Sequence, residues 1–103
     1  MATENDIAAN GVEVGRDFWP DYYAVYVIRD RELGYFAGFK AFSNIPIFCP
    51  SIKGAVKYDA FENLAARVKA LAVRDCYVKG ATVLAFKRFV IYPEKFKKGK
   101  SHG

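Results

Sequence analysis

The side chains that carry most enzyme chemistry are few in this 103-residue sequence and stand far apart. Its one histidine, His102, lies in a tail rich in lysine and glycine, where it is not held rigidly beside a Ser or Cys nucleophile. His102, Cys49 and Cys76 together are one ligand short of a tetrahedral zinc site. Neither cysteine stands next to an activating base, so we interpret both as packing residues.

Phosphate and cation sites are not indicated either. No glycine-rich loop precedes a Lys-Ser or Lys-Thr pair. Asp30 and Glu32 share a turn, and carboxylates of exposed turns are usually solvated rather than bound to a metal. We therefore predict that the protein is not an enzyme and has no catalytic residue, metal site or cofactor.

Charge is unevenly distributed along the chain, whose formal net charge is +5. Residues 1–21 carry five carboxylates against one arginine, whereas residues 79–103 carry seven basic residues against one glutamate. A basic end indicates attraction to an anionic partner, most often nucleic acid, or else a solubilising tail. The sequence predicts a mobile acidic arm at 1–17, one domain at 18–93 and a basic flexible tail at 94–103.

The first half of the domain has the pattern of a β-hairpin. Residues 22–29 are rich in aromatic and β-branched side chains and alternate as a strand does. The polar residues 30–34 predict the turn, and residues 35–42 predict the return strand, with a bulge at Gly38. Residues 43–54 contain two prolines and predict a tucked-in segment, followed by a short third strand at 55–58.

The second half predicts one helix and one strand. Asp59 and Glu62 are spaced as a helix-capping pair. Residues 73–80 predict a connection that can include a frayed last helical turn, and residues 81–92 predict a strand with a bulge or split at 89–91. This order indicates an α+β fold, in which a small antiparallel sheet carries one amphipathic helix on one face. Apolar residues at spacings of three and four predict the helix face toward the sheet: Phe61, Leu64, Ala65, Val68, Leu71 and Ala72.

Aromatic residues make up 17% of the sequence and occupy both faces of the predicted hairpin. One helix covers only one face of a sheet. The other face must be covered by the 43–54 segment, by Phe18 and Trp19, by a partner, or by stacked nucleobases. The candidate partner-binding residues are the cations along these strands and in the tail, together with one tyrosine: Arg29, Arg31, Tyr35, Lys40, Lys87, Arg88, Lys95, Lys97 and Lys98.

The order of elements from residue 22 to residue 91 resembles that of small accessory proteins encoded by phages and mobile elements. In this chain the pattern consists of the hairpin, then Ala55-Val56-Lys57-Tyr58 leading into an alanine-bearing helix, then a final strand. Such proteins include inhibitors of host defence, among them anti-CRISPR proteins. The resemblance implies a non-enzymatic inhibitor but no particular site residues.

Three functions are therefore open. The first is a binding protein that occludes a host nucleic-acid-handling or defence complex, its partner being a protein or ribonucleoprotein. The second is direct binding of single-stranded DNA or RNA, either through Tyr22, Tyr26 and Tyr35 or through the opposite face of the sheet. The third is a structural or homo-oligomeric subunit, with a homodimer interface on the second sheet face. The longest uncharged apolar run is too short to cross a membrane, and the acidic N-terminus is unlike a signal peptide, so we expect the cytoplasm of a bacterial host cell.

Overall fold

The β-branched run after Asp21 forms the central strand of a five-stranded antiparallel sheet, which carries one long helix on one face. The structure is a computed structural model that describes residues 11–15, 19–59 and 63–91. Its strand order is β1-β5-β2-β3-β4, which confirms the predicted α+β class. The strands and helices are β1 (Val12–Glu13), β2 (Ala24–Asp30), β3 (Gly34–Phe39), β4 (Pro46–Cys49), α1 (Asn63–Tyr77), β5 (Thr82–Lys87) and α2 (Arg88–Ile91), with a 3-10 helix at Ile52–Gly54.

Strand β2 is the most deeply buried element. Val25, Tyr26, Val27 and Ile28 are all 0% exposed, so both faces of this strand are covered. It pairs with β5 over six residue pairs and with β3 over two. A strand between two neighbours, with β-branched side chains on both faces, is the expected result of this sequence.

The predicted hairpin turn at 30–34 is confirmed. The Asp30 carboxylate accepts the backbone N–H groups of Leu33 and Glu32, each at 2.9 Å. These bonds favour the charged carboxylate and hold the pKa of Asp30 below its ordinary value. The polar residues of the turn therefore have a structural role.

The predicted third strand at 55–58 is wrong. The strand next to β3 is β4, which begins at Pro46, as a proline in an edge strand can. Tyr58 makes only an isolated bridge with Tyr26, and the N–H of Val56 donates to the carbonyl of Phe36 at 2.9 Å. Residues 56–58 thus hydrogen-bond to β2 on one side and to β3 on the other.

The predicted bulge in the return strand is confirmed. The register between β3 and β4 shifts between Phe36 and Gly38, and Gly38 has a φ of 118°. Beyond this point β3 pairs with β4 alone, because the described β2–β3 pairs lie only at the turn end. The far end of the β3–β4 hairpin is therefore not paired with β2, and residues 56–58 lie between the two strands near Phe36.

The predicted core face of α1 is wrong. Ala66 and Ala70 are 3% and 0% exposed, whereas Leu64 and Val68 are each 53% exposed. Ala65 and Ala72 are exposed and Leu71 is half-buried, while Phe61 lies outside the described residues. Large side chains of the sheet, among them Tyr26, Ile28 and Val83, fill the space beneath the helix, and the small alanines let the helix approach them.

The C-terminal end of α1 lies later than predicted. The helix continues through residues 73–77, which were predicted as a connection with at most a frayed last helical turn. The capping residue Glu62 lies outside the described residues. The predicted cap Asp59 forms an ion pair with Arg88, with Oδ1 and Nη2 2.7 Å apart.

The predicted C-terminal strand ends early. Residues 88–91 form the short helix α2 rather than a bulged or split strand. The N–H of Arg88 donates to the carbonyl of Tyr23 at 2.9 Å, and the side chain of Arg88 pairs with Asp59. These contacts hold the chain where it turns from strand to helix. Residues 92–103, including the predicted basic tail, lie outside the described residues.

Part of the predicted N-terminal arm belongs to the sheet. Val12 and Glu13 pair with β5, and Val14 is 6% exposed. Arg67 of α1 donates to the carbonyl of Gly15 at 2.9 Å, and its guanidinium lies 4.7 Å from the ring centroid of Trp19. A cation over an aromatic ring is attractive, so Arg67 ties this segment to the helix. The rest of the predicted arm lies outside the described residues.

The second face of the sheet is covered by the chain itself. Val27, Leu84 and Phe86 form a cluster with Ala55, and Ile52 of the 3-10 helix and Ile91 of α2 pack against it. The 43–54 segment, one of the predicted covers for this face of the sheet, therefore does cover part of it. The central part of this face is a second core rather than an open aromatic platform.

Candidate binding surface

The predicted basic site is divided between the two ends of the sheet. Arg29 pairs with Thr82 and Ala24 pairs with Lys87, five residue steps apart in the same ladder. At about 3.4 Å per step, Arg29 and Lys87 are about 17 Å apart along the strands. The structure therefore does not bring them into one site.

At the turn end, three predicted residues lie close together. Arg29, Arg31 and Tyr35 line an open cleft of about 800 Å³. Asp30 and Glu32 line the same cleft, so its four charges are balanced. This mixed lining is not the continuous positive surface that a nucleic-acid backbone attracts.

At the opposite end, the predicted cations have different surroundings. The Lys87 ammonium lies 5.5 Å from the ring centroid of Tyr22, and Arg88 is paired with Asp59. Lys40 follows β3 and is exposed. Lys95, Lys97 and Lys98 lie outside the described residues.

Of the three tyrosines predicted to stack on bases, one is fully buried and two are half-buried. Tyr26 is 0% exposed, so its predicted stacking role is wrong. Tyr22 and Tyr35 are half-buried. The Tyr26 hydroxyl is buried and has no hydrogen-bond partner within the part of the chain that the structure describes.

Burial changes how these phenols ionise. Desolvation raises the pKa of Tyr26 above the ordinary value of 10.0; the positive charge of Arg67 opposes this and Tyr22 adds to it. Burial likewise raises the pKa of Tyr58, and burial with the nearby Asp21 charge raises that of Tyr22. The folded state thus holds these protons more tightly than the unfolded chain does.

We expect the free energy of unfolding to fall as the pH rises above about 10. Below the unfolded pKa the phenols are protonated in both states, so the stabilisation is fully present there. Above it the unfolded state releases protons first and is favoured. Urea unfolding followed by circular dichroism between pH 8 and 11 measures the effect, and Tyr26→Phe should show a shallower decline. A free energy of unfolding that stays constant to pH 11 would contradict this expectation.

Three exposed apolar side chains lie close together in sequence at the far end of the β3–β4 hairpin, and one of them, Phe42, is the most exposed apolar residue that the structure describes. We call Phe42, Ile45 and Ile47 the tip surface; they are 108%, 56% and 43% exposed. Strand β4, which carries Ile47, is the outermost strand on this side of the sheet. Three large exposed apolar residues within six positions are more than the scattered single ones of an ordinary surface.

The turn that presents Phe42 is closed by four hydrogen bonds. The N–H of Lys40 donates to the carbonyl of Ile45 at 2.9 Å, and the N–H of Ser43 donates to the carbonyl of Lys40 at 3.1 Å. The Ser43 hydroxyl donates to the same Lys40 carbonyl at 3.0 Å and accepts the N–H of Ile45 at 3.2 Å. The conformation of the turn is therefore held by its own backbone and by Ser43.

Phe42 has an unusual backbone conformation in this turn. It is the one non-glycine residue with a positive φ in the part of the chain that the structure describes, at 58°. This position of a turn normally takes Gly or Asn, and a bulky side chain there is strained. Residues held under such strain cluster at functional sites.

The tip surface was missed by the sequence reasoning. Phe42 was placed in the return strand, and Ile45 and Ile47 in a tucked-in segment. Two signals could have found it. Ser43-Asn44 is a turn dipeptide, and residues 33–58 contain three lysines but no Asp or Glu.

Within the described ranges, no group of three or more His, Cys, Asp or Glu side chains could hold a metal ion. Cys49 is half-buried, and its thiol donates to the carbonyl of Ser51 at 3.1 Å.

No helix in the described residues is long and apolar enough to cross a membrane.

Comparison of the chain with models of known protein families, with curated proteins and with solved structures gave no match.

Proposed function

We propose that this chain is a small, non-enzymatic binding protein that acts by covering a surface of a protein partner. The observation that carries the proposal is the tip surface. A fully exposed, strained phenylalanine, near two exposed isoleucines, stands at the end of the β3–β4 hairpin that does not pair with β2. Large exposed apolar patches on small domains mark interaction sites, and aromatic anchors carry much of the energy of protein interfaces.

The arrangement favours a protein over single-stranded nucleic acid. Stacking on bases requires exposed aromatics beside free cations along one groove. Here Tyr26 is buried, Arg29 and Lys87 stand at opposite ends of the sheet, and Arg88 is neutralised by Asp59. Among the residues that the structure describes, the most exposed aromatic side chain is Phe42, which lies within residues 33–58, where the charged residues are all lysines.

The class of partner comes from the sequence resemblance to phage and mobile-element accessory proteins. It implies inhibition of a host nucleic-acid-handling or defence complex in a bacterial cytoplasm, with no cofactor. The net charge of +5 supports docking on an acidic protein surface of such a complex. Blocking a surface requires only tight and specific contact. A rigid apolar anchor beside an exposed lysine, Lys40, can supply it.

Phage plating on bacteria that carry active CRISPR–Cas systems of different types tests the proposal. Expression of the wild-type chain should restore plaque formation against at least one type, and Phe42→Asp should not. The acidic side chain would meet an apolar surface on the partner, and burying an unpaired charge costs several kcal/mol. Because Phe42 is fully exposed, the variant should keep the wild-type melting temperature.

Leu33→Asp is the matched control. Leu33 is 59% exposed in the turn at the opposite end of β3, so this substitution makes the same kind of change away from the tip surface. It should restore plaques as the wild type does. If the wild type restores plating on no strain, the inhibitor function is wrong. If Phe42→Asp restores plating fully, the contact surface lies elsewhere.

A further inference from the structure

We infer that the partner of the tip surface presents an apolar pocket bordered by carboxylates, and that Phe42 is the side chain that enters it. This inference rests on the proposed function and adds the chemistry of the partner. It follows from the shape of the tip, the rigidity of the turn and the charges around both.

The shape of the tip favours a pocket over a flat surface. Phe42 is 108% exposed, so neighbouring residues cover none of its ring. The hairpin beneath it is anchored by aromatic contacts. The ring of Phe39 lies 5.1 Å from those of Phe36 and Tyr77, and Phe36 lies 6.4 Å from Phe48. A protruding ring on a firmly packed base is suited to insertion into a concavity.

The turn lowers the entropic cost of binding, because it already holds the backbone around Phe42 in place before the partner binds. Four hydrogen bonds between Lys40, Ser43 and Ile45 fix the backbone on either side of Phe42. A side chain that is already held in its presented position loses less conformational freedom on binding. The strain at φ 58° is then a stability cost that the free protein carries for this presentation.

The charges around the tip indicate carboxylates on the partner. Residues 33–58 contain Lys40, Lys53 and Lys57 and no acidic residue. The ammonium of Lys57 is turned inward and donates to the carbonyls of Ile52, Lys53 and Ala55 at 2.9–3.2 Å. Lys40 is exposed and lies two residues from Phe42, whereas Lys53 lies in the 3-10 helix beside Cys49, which pairs with Tyr35 at the opposite end of β3. Interfaces place opposite charges across from each other, so the pocket should be bordered by Asp or Glu.

The same charges argue against a second copy of this chain as the partner that binds the tip surface. Two tip surfaces facing one another would bring their Lys40 side chains together, and residues 33–58 contain no carboxylate to neutralise them. Like charges across an interface are unfavourable. A different protein with acidic residues is therefore the better fit.

Selection of a phage-displayed library of random cyclic peptides against the purified full chain tests this chemistry directly. We expect the enriched peptides to combine apolar residues with Asp or Glu. Synthetic versions should bind Phe42→Ser about thirtyfold more weakly than wild type, as expected for truncation of an anchor side chain. Lys40→Glu should also weaken binding and Lys40→Arg should retain it, whereas Leu33→Ser, at the other end of β3, should bind as the wild type does.

Three outcomes would overturn the inference. The first is enrichment of peptides without carboxylates. The second is peptide binding that Phe42→Ser leaves unchanged, and the third is no enrichment over a parallel selection on Phe42→Ser. The melting temperature of each variant confirms that it is folded. If the peptides behave as expected but the chain restores plating on no strain, the inhibitor function fails while the partner chemistry stands.

Discussion

Ala70→Asp is expected to lower the free energy of unfolding by about 4 kcal/mol or more, whereas Leu64→Asp should change it by less than about 1 kcal/mol. Ala70 is 0% exposed and packs in the cluster that contains Tyr26, Ile28 and Val83. A carboxylate there would be buried without a cation among the members of that cluster. A domain of this size is typically stable by only about 5–15 kcal/mol, so the loss would be a large part of the total.

Leu64 provides the matched control on the same helix. Its side chain is 53% exposed and lies in the first described turn of α1, where a negative charge interacts favourably with the helix dipole. Urea unfolding of both variants, followed by far-ultraviolet circular dichroism, measures the two free energies. Equal losses, or a larger loss at Leu64, would mean that α1 packs on the sheet through its leucine and valine face.

Gly34→Ala is expected to destabilise the fold by about 3 kcal/mol or more. Gly34 follows the hairpin turn with a φ of 98°, a conformation that is costly for a residue with a side chain. A Cβ at this position would also collide with the backbone carbonyl oxygen of Cys49. Since backbone atoms cannot move aside as a flexible side chain can, β4 would have to shift away from β3.

Gly38→Ala separates the effect of the clash from that of the backbone conformation. Gly38 also has a positive φ, 118°, but among the described residues no atom beyond its two chain neighbours lies within 4 Å of the position a Cβ would take. Only the conformational cost remains, so we expect a loss of about 1–2 kcal/mol. Thermal and urea unfolding of the two variants should differ clearly. If both lose the same free energy, the close approach of Cys49 does not contribute.

Local sequence patterns predicted the elements whose structure depends only on residues close to one another in the sequence. The alternation from Tyr23 to Ile28, the Asp30 turn and the glycine at position 38 act within a few residues of themselves, and they predicted the central strand, the hairpin and the bulge. One amphipathic segment after two strands also predicted a helix on an antiparallel sheet.

The face of the helix could not be predicted in the same way. Residues 63–77 carry two apolar stripes, one with Leu64 and Val68 and one with Ala66 and Ala70. Ranking by hydrophobicity selects the first stripe. The large side chains of β2 and β5 leave room only for the second, and this is a property of the packed layers rather than of the helix sequence.

The candidate site, too, was only partly predictable from the sequence. The sequence by itself indicated no catalytic histidine, no zinc site and no phosphate-binding loop. It also showed that basic residues outnumber acidic ones and that aromatic residues are frequent. Only the tertiary structure decided that Tyr26 is buried, that Arg29 and Lys87 stand at opposite ends of one ladder, and that Phe42 is fully exposed. Burial and the distance between residues remote in sequence depend on strand pairing and on which segment covers each face, and these are fixed only when the whole chain packs.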